Sequence, residues 1–101
     1  MEVCPTETIN ATVEHIWELL TDPRRFARWS DARLEEGPAR PVSTGDHFVL
    51  KKRGMRIRIE VLSATPLQRL GLFIHLPFGI VNHEQVQLTQ LSGTACRVTF
   101  N

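Results

Sequence analysis

The residues with the clearest chemical potential lie in one stretch near the C-terminus, Asn82-His83-Glu84, with His75 a short distance upstream. Counting back from Val86 and Leu88 in steps of two puts Glu84 and Asn82 on the same face of a strand as those apolar side chains. An unpaired carboxylate in apolar surroundings can act as an acid or base, or bind a ligand hydroxyl, which makes Glu84 the candidate catalytic group. The plainer alternatives are that Arg69 or Arg97 pairs with it, or that this end of the strand lies beyond the core. His75 and His83 flank Pro77-Phe78-Gly79 and can approach each other across a hairpin. Two histidines suit proton transfer, but a zinc site needs a third ligand, so no metal is expected, and a solvated hairpin is the simpler reading of the pair.

Other chemistries find little footing. There is no Gly-x-Ser-x-Gly elbow and no glycine-rich phosphate loop, and Cys4 and Cys96 lie at opposite ends of the chain without CxxC or Cys/His spacing. No cofactor and no disulfide framework are expected, and Cys96 reads as a small core residue. Lys51-Lys52-Arg53 with Arg56 and Arg58, and Arg24, Arg25 and Arg28, form basic clusters without interleaved aromatic residues, so they read as solvated faces. With a net charge of +1 no chain-wide field calls for nucleic acid. The longest apolar runs, 71–74 and 78–81, are too short to cross a bilayer, and the N-terminus lacks a basic segment followed by an apolar one. The expectation is a soluble cytoplasmic chain with no membrane insertion. At 101 residues it fits one domain, since two would each be too short to bury a core.

The elements that must position these residues follow from periodicity. Val13, Ile16, Trp17 and Leu20 recur at i, i+3, i+4 and i+7, which predicts a helix over 12–21, started by Asn10 or Thr12 and stopped at Asp22-Pro23. Pro23 to Trp29 reads as a second short helix with proline at its first position. After the loop Glu35-Glu36-Gly37-Pro38-Ala39-Arg40-Pro41 the period changes to two. Strands are predicted over 46–53, 55–63, 69–76, 80–89 and 94–100, with shorter ones at about 3–10 and 32–35. Short turns at Arg53-Gly54, Ala64-Thr65-Pro66, Pro77-Phe78-Gly79 and Ser92-Gly93 favour an antiparallel meander with one face on a core. Met55, Ile57, Ile59 and Val61 take the inner face, and Arg56, Arg58 and Glu60 the wet one. The fold class is therefore α+β, a curved antiparallel sheet packed on N-terminal helices. A ten-residue helix of about 15 Å covers only part of such a sheet.

The stretch Ile9-Asn10-Ala11-Thr12-Val13-Glu14-His15-Ile16-Trp17-Glu18-Leu19-Leu20-Thr21-Asp22-Pro23, with Phe26-Ala27-Arg28-Trp29, resembles the opening of the START-like (SRPBCC) superfamily, in particular its polyketide cyclase/dehydrase-type members. Val42-Ser43-Thr44-Gly45-Asp46-His47-Phe48 resembles that family's Gly-Asp-x-Phe lead into the third strand. Val61 to Pro66 resembles its Val-x-x-x-x-Pro turn, and Gly93-Thr94 its Gly-Thr lead into the last strand. The resemblance runs along nearly the whole chain and implies a helix-grip fold. It also implies a cavity for a small apolar molecule; some members catalyse cyclisation or dehydration and many only bind or carry, and no universal catalytic residue transfers.

That family closes its cavity with a long C-terminal helix, which this chain lacks; it is either a fragment of a longer START-like domain or a short variant covered by a second copy. An uncovered face of Ile57, Ile59, Leu72, Ile74 and Val98 would then be a large apolar patch favouring a homodimer. The expected ligand-binding residues are Trp29, Phe48, Leu50, Ile57, Ile59, Leu72, Ile74, Asn82 and Glu84, each apolar one being ordinary core unless a cavity opens beside it. The expected partner is a small hydrophobic or aromatic molecule; the alternative is an interaction module that receives another protein chain on the open sheet face.

Overall fold

The computed structural model describes residues 6–100. Cys4 and the first residues of the predicted N-terminal strand lie outside them. The elements run β1 (Thr6–Ile9), α1 (Val13–Thr21), α2 (Pro23–Trp29), β2 (Arg33–Glu36), β3 (His47–Lys52), β4 (Met55–Thr65), β5 (Arg69–His75), β6 (Val81–Gln90) and β7 (Cys96–Phe100). Both helices start where capping chemistry directs. The Thr12 hydroxyl accepts from the His15 amide at 3.2 Å, and Asp22 both ends α1 and caps α2 by accepting from the Arg24 amide at 3.0 Å. Pro23 follows at the first helical position, where its missing N–H costs nothing.

All seven strands form one antiparallel sheet in the order β1-β7-β6-β5-β4-β3-β2. From β2 to β7 it is a meander of hairpins, and the tightest turns through Arg53 (φ 52) and Gly54 (φ 80), the paired positive angles that match the twist of a two-residue hairpin. β1 closes the far edge by pairing with β7, so α1 and α2 carry the chain from one edge of the sheet to the other across its inner face. This is the α+β helix-grip arrangement, a curved sheet holding its helices in the concavity. β4 outlasts its predicted end by two residues because a bulge after Val61 absorbs Leu62 and keeps Ala64 opposite Leu70 on the inner face.

The core fills the space between helices and sheet. Val13, Ile16, Leu20 and Phe26 meet Phe48, Leu50, Ile59, Val61, Leu70, Leu72, Val86, Leu88, Cys96 and Val98. This corrects the expected bare patch, since Ile59, Leu72 and Val98 are buried rather than uncovered. Curvature is the reason: the bend at Asp22 lets two helices follow the concave sheet, and α2 sets Phe26 edge-on against Phe48 at 5.3 Å. Only Ile57 and Ile74 of that set stay partly exposed.

The loop before β3 is ordered by Asp46. Its carboxylate accepts from both Arg40 guanidinium nitrogens, at 2.7 and 3.1 Å, and from the Ser43 amide at 2.7 Å. Its carbonyl receives the Val61 amide, and Gly45, at φ 92, donates to the Val61 carbonyl. Glycine suits that left-handed position, so the Gly-Asp pair anchors the loop to β4.

Candidate functional site

Antiparallel register arranges the inner face in rows. Phe48, Ile59, Ile74 and Asn82 form one row across β3, β4, β5 and β6; Val61, Leu72 and Glu84 form the next; Ala64, Leu70, Val86 and Phe100 form a third. Directly opposed residues of antiparallel strands share a face, so Glu84 and Asn82 stand on the helix side of the sheet, beside Leu72 and Ile74. Glu84 is half-buried and Asn82 exposed. Neither Arg69 nor Arg97 pairs with Glu84, and among the described residues its carboxylate has no hydrogen-bond or ion-pair partner. On its other side β7 pairs only Val86–Gln90 of β6, so Glu84 has no described cross-strand neighbour there.

The site residues read from sequence divide into two groups. Phe48, Leu50, Ile59 and Leu72 are at most 4% exposed and pack directly under the helices, where they form a rigid backing. Ile57, Ile74, Asn82 and Glu84 occupy the end of the inner face that α1 does not reach, the end formed by the β3–β4 and β5–β6 hairpins. Trp29 closes α2 at that same end, since the Lys52 ammonium next to the β3–β4 turn donates to the Ser30 carbonyl at 2.6 Å. Its ring lies against Phe26 at 4.6 Å, its indole N–H donates to the Leu19 carbonyl at 2.8 Å, and half of its surface remains in solvent. The arrangement is an apolar shelf with a carboxylate and a carboxamide at one margin and an indole at another.

The histidines do not meet. Phe73 separates them, its ring 6.2 Å from His75 and 5.1 Å from His83, and His75 instead bonds Glu60 of β4 at 3.2 Å. Register explains it: on the outer face Phe73 opposes both Glu60 and His83, whereas His75 opposes Arg58 and Val81. The outer face also carries a shallow cleft not expected from the sequence, about 280 Å³ and lined by Glu36, His47, Val49, Arg56, Arg58 and His75. The alternating Arg56 and Arg58 were its signal, but their neighbours come from strands distant in sequence. Arg56 is already engaged by Glu35 and Glu36. At the opposite end of the molecule a broader cleft of about 600 Å³ separates the start of α1 from the β4–β5 and β6–β7 turns, near Thr12, Leu67 and Gly93. Among the described residues no group of three or more His, Cys, Asp or Glu side chains is placed to hold a metal ion. Cys96 is free and buried, and burial pushes its thiol pKa up, which makes it a poor nucleophile.

Comparison with known proteins bears on this geometry. A family model described as polyketide cyclase / dehydrase and lipid transport matches residues 2–101. Among curated proteins none matches the chain. Among solved structures, DynU16, from the dynemicin biosynthetic locus, is 28% identical with a TM-score of 0.75, over 97% of this chain and 35% of its own. CalU16 from Micromonospora echinospora is 21% identical with a TM-score of 0.72, over 96% of this chain and 55% of its own. The Aha1 dimer from Colwellia psychrerythraea shares the fold at 16% identity and a TM-score of 0.72, over 99% of this chain and 76% of its own. The chain thus spans about a third of DynU16 and about half of CalU16. No helix of the described residues is long and apolar enough to cross a membrane.

Proposed function

Because the chain belongs to the polyketide cyclase / dehydrase and lipid transport family, we propose that it binds a small hydrophobic or aromatic molecule on the inner face of its sheet, at the end left open beyond α1. The observation that carries this reading is Glu84. It stands on an apolar wall, half-buried, with no hydrogen-bond or ion-pair partner among the described residues. A ligand hydroxyl or polarised C–H would supply what it lacks. Ile57, Ile74 and Trp29 give the ligand its apolar contact, Asn82 and Glu84 set its orientation, and Phe48, Leu50, Ile59 and Leu72 hold that wall rigid from behind. On a ligand with a hydroxyl β to a carbonyl, the Glu84 carboxylate can take the proton between them and return it to the departing hydroxyl, releasing water.

Native mass spectrometry tests the binding reading. An added mass on each chain, lost on denaturation and reduced in Glu84→Gln, supports it; turnover of the released ligand by the wild type but not by Glu84→Gln assigns the acid–base role. A second reading, association with a second copy of the chain, is suggested by the Aha1 dimer, which shares this fold. A ligand-free dimer in the same spectrum would favour that reading over the first.

A further inference from the structure

Phe78 stands out from the rest of the molecule. It sits at the tip of the β5–β6 hairpin with 98% of its surface in solvent, in the left-handed region at φ 68. That conformation disfavours a bulky aromatic residue, and at this exposure no packing among the described residues offsets the cost. A strained and unpacked aromatic ring is well placed for a contact outside the molecule.

Its surroundings define that contact. The Phe78 turn touches β4, and the start of β4 lies beside the end of β5, so the β3–β4 tip at Arg53-Gly54 and the β5–β6 tip project from the same end of the sheet. Exposed Trp29, Met55 and Ile80 lie at this end with Phe78. Lys51, Lys52 and Arg53 of the neighbouring hairpin and Arg28 of α2 add positive charge at the tips, against Asp31 beside Ser30 and Glu84 set back from the β5–β6 tip on the inner face. Apolar tips flanked by cations are complementary to an anionic lipid surface, where aromatic rings enter the headgroup boundary and each Lys or Arg adds attraction. We propose that this end of the protein docks on anionic membranes through Phe78 and the Lys51–Arg53 hairpin, placing the open end of the inner face against the bilayer without any segment crossing it. Docking deepens the ligand reading, because an apolar molecule dissolved in lipid would pass onto the shelf without entering water; it rests on that reading for its purpose, not for its test.

Sedimentation with vesicles of phosphatidylcholine containing about a third phosphatidylglycerol tests it. The wild type should bind these vesicles, bind pure phosphatidylcholine much more weakly, and release as salt is raised. Phe78→Asn, in which the new residue tolerates the left-handed backbone, should stay folded by circular dichroism and lose about tenfold in vesicle affinity. Arg53→Glu should lose at least about fivefold. Absence of wild-type binding, or equal binding by Phe78→Asn, overturns the proposal. So does a dimer in sedimentation velocity that Phe78→Asn converts to monomer, which would assign the tip to self-association. Ligand retention in native mass spectra separates the two ideas: a chain that keeps its ligand but ignores vesicles loses only the docking proposal, and one that binds vesicles but carries no ligand loses only the ligand reading.

Discussion

Replacing Glu84 by leucine should make this protein more stable and a poorer ligand binder. Glu84 opposes Leu72 in the sheet, next along β6 from the Ile74–Asn82 pair, and is half-buried with no partner among the described residues. Fully burying a leucine side chain is worth about 1.5–3 kcal/mol, so a half-buried one on this apolar wall contributes about 1 kcal/mol. For a domain of this size 1 kcal/mol raises Tm by about 4–8 °C. Glu84→Gln keeps the shape and should stay within about 0.5 kcal/mol of the wild type. Urea unfolding at neutral pH reads the effect as a shifted midpoint with an unchanged slope. Loss of 1 kcal/mol or more in Glu84→Leu would show that the carboxylate has a structural partner in solution and is not held for a ligand.

Three further outcomes follow from the packing and the electrostatics. Phe48→Ala removes a fully buried ring that Phe26 contacts edge-on and should cost about 3–5 kcal/mol in urea unfolding; a loss below about 2 would mean that the helices collapse readily onto the sheet there. The Asp46 carboxyl is held down to about 2, first by its hydrogen bond from Arg40 and then by the Ser43 amide. A depressed carboxyl adds stability above its unfolded pKa and loses it as pH falls through the folded one. Wild-type stability should therefore fall from about pH 4 toward pH 2 more steeply than that of Asp46→Asn, and parallel acid profiles in urea titrations would contradict the assignment. Thr12→Ala deprives the His15 amide of its acceptor and should cost about 1 kcal/mol, again read from urea midpoints; no measurable change would mean that water replaces the cap.

Much of the architecture was legible in the chain itself. The 3.6-residue recurrence of Val13, Ile16 and Leu20, the cap at Thr12, the Asp22-Pro23 stop and the period of two after Pro41 each depend on residues close in sequence. They therefore located both helices and every strand to within a few residues, and the same period placed Glu84 and Asn82 on the inner face. What local pattern cannot carry is which strands become neighbours across long stretches of chain. β1 joins β7 some ninety residues away, and that pairing sends α1 and α2 across the sheet to bury Ile59, Leu72 and Val98, which a single short helix would have left bare. Register between strands gave His75 to Glu60 instead of His83, set Phe73 between the two histidines, and left Glu84 without either arginine. Periodicity assigns a side chain to a face because it depends on the backbone of one strand alone; the partner on that face depends on the offset between strands, which turns, bulges and the packed helices set together only in the folded molecule.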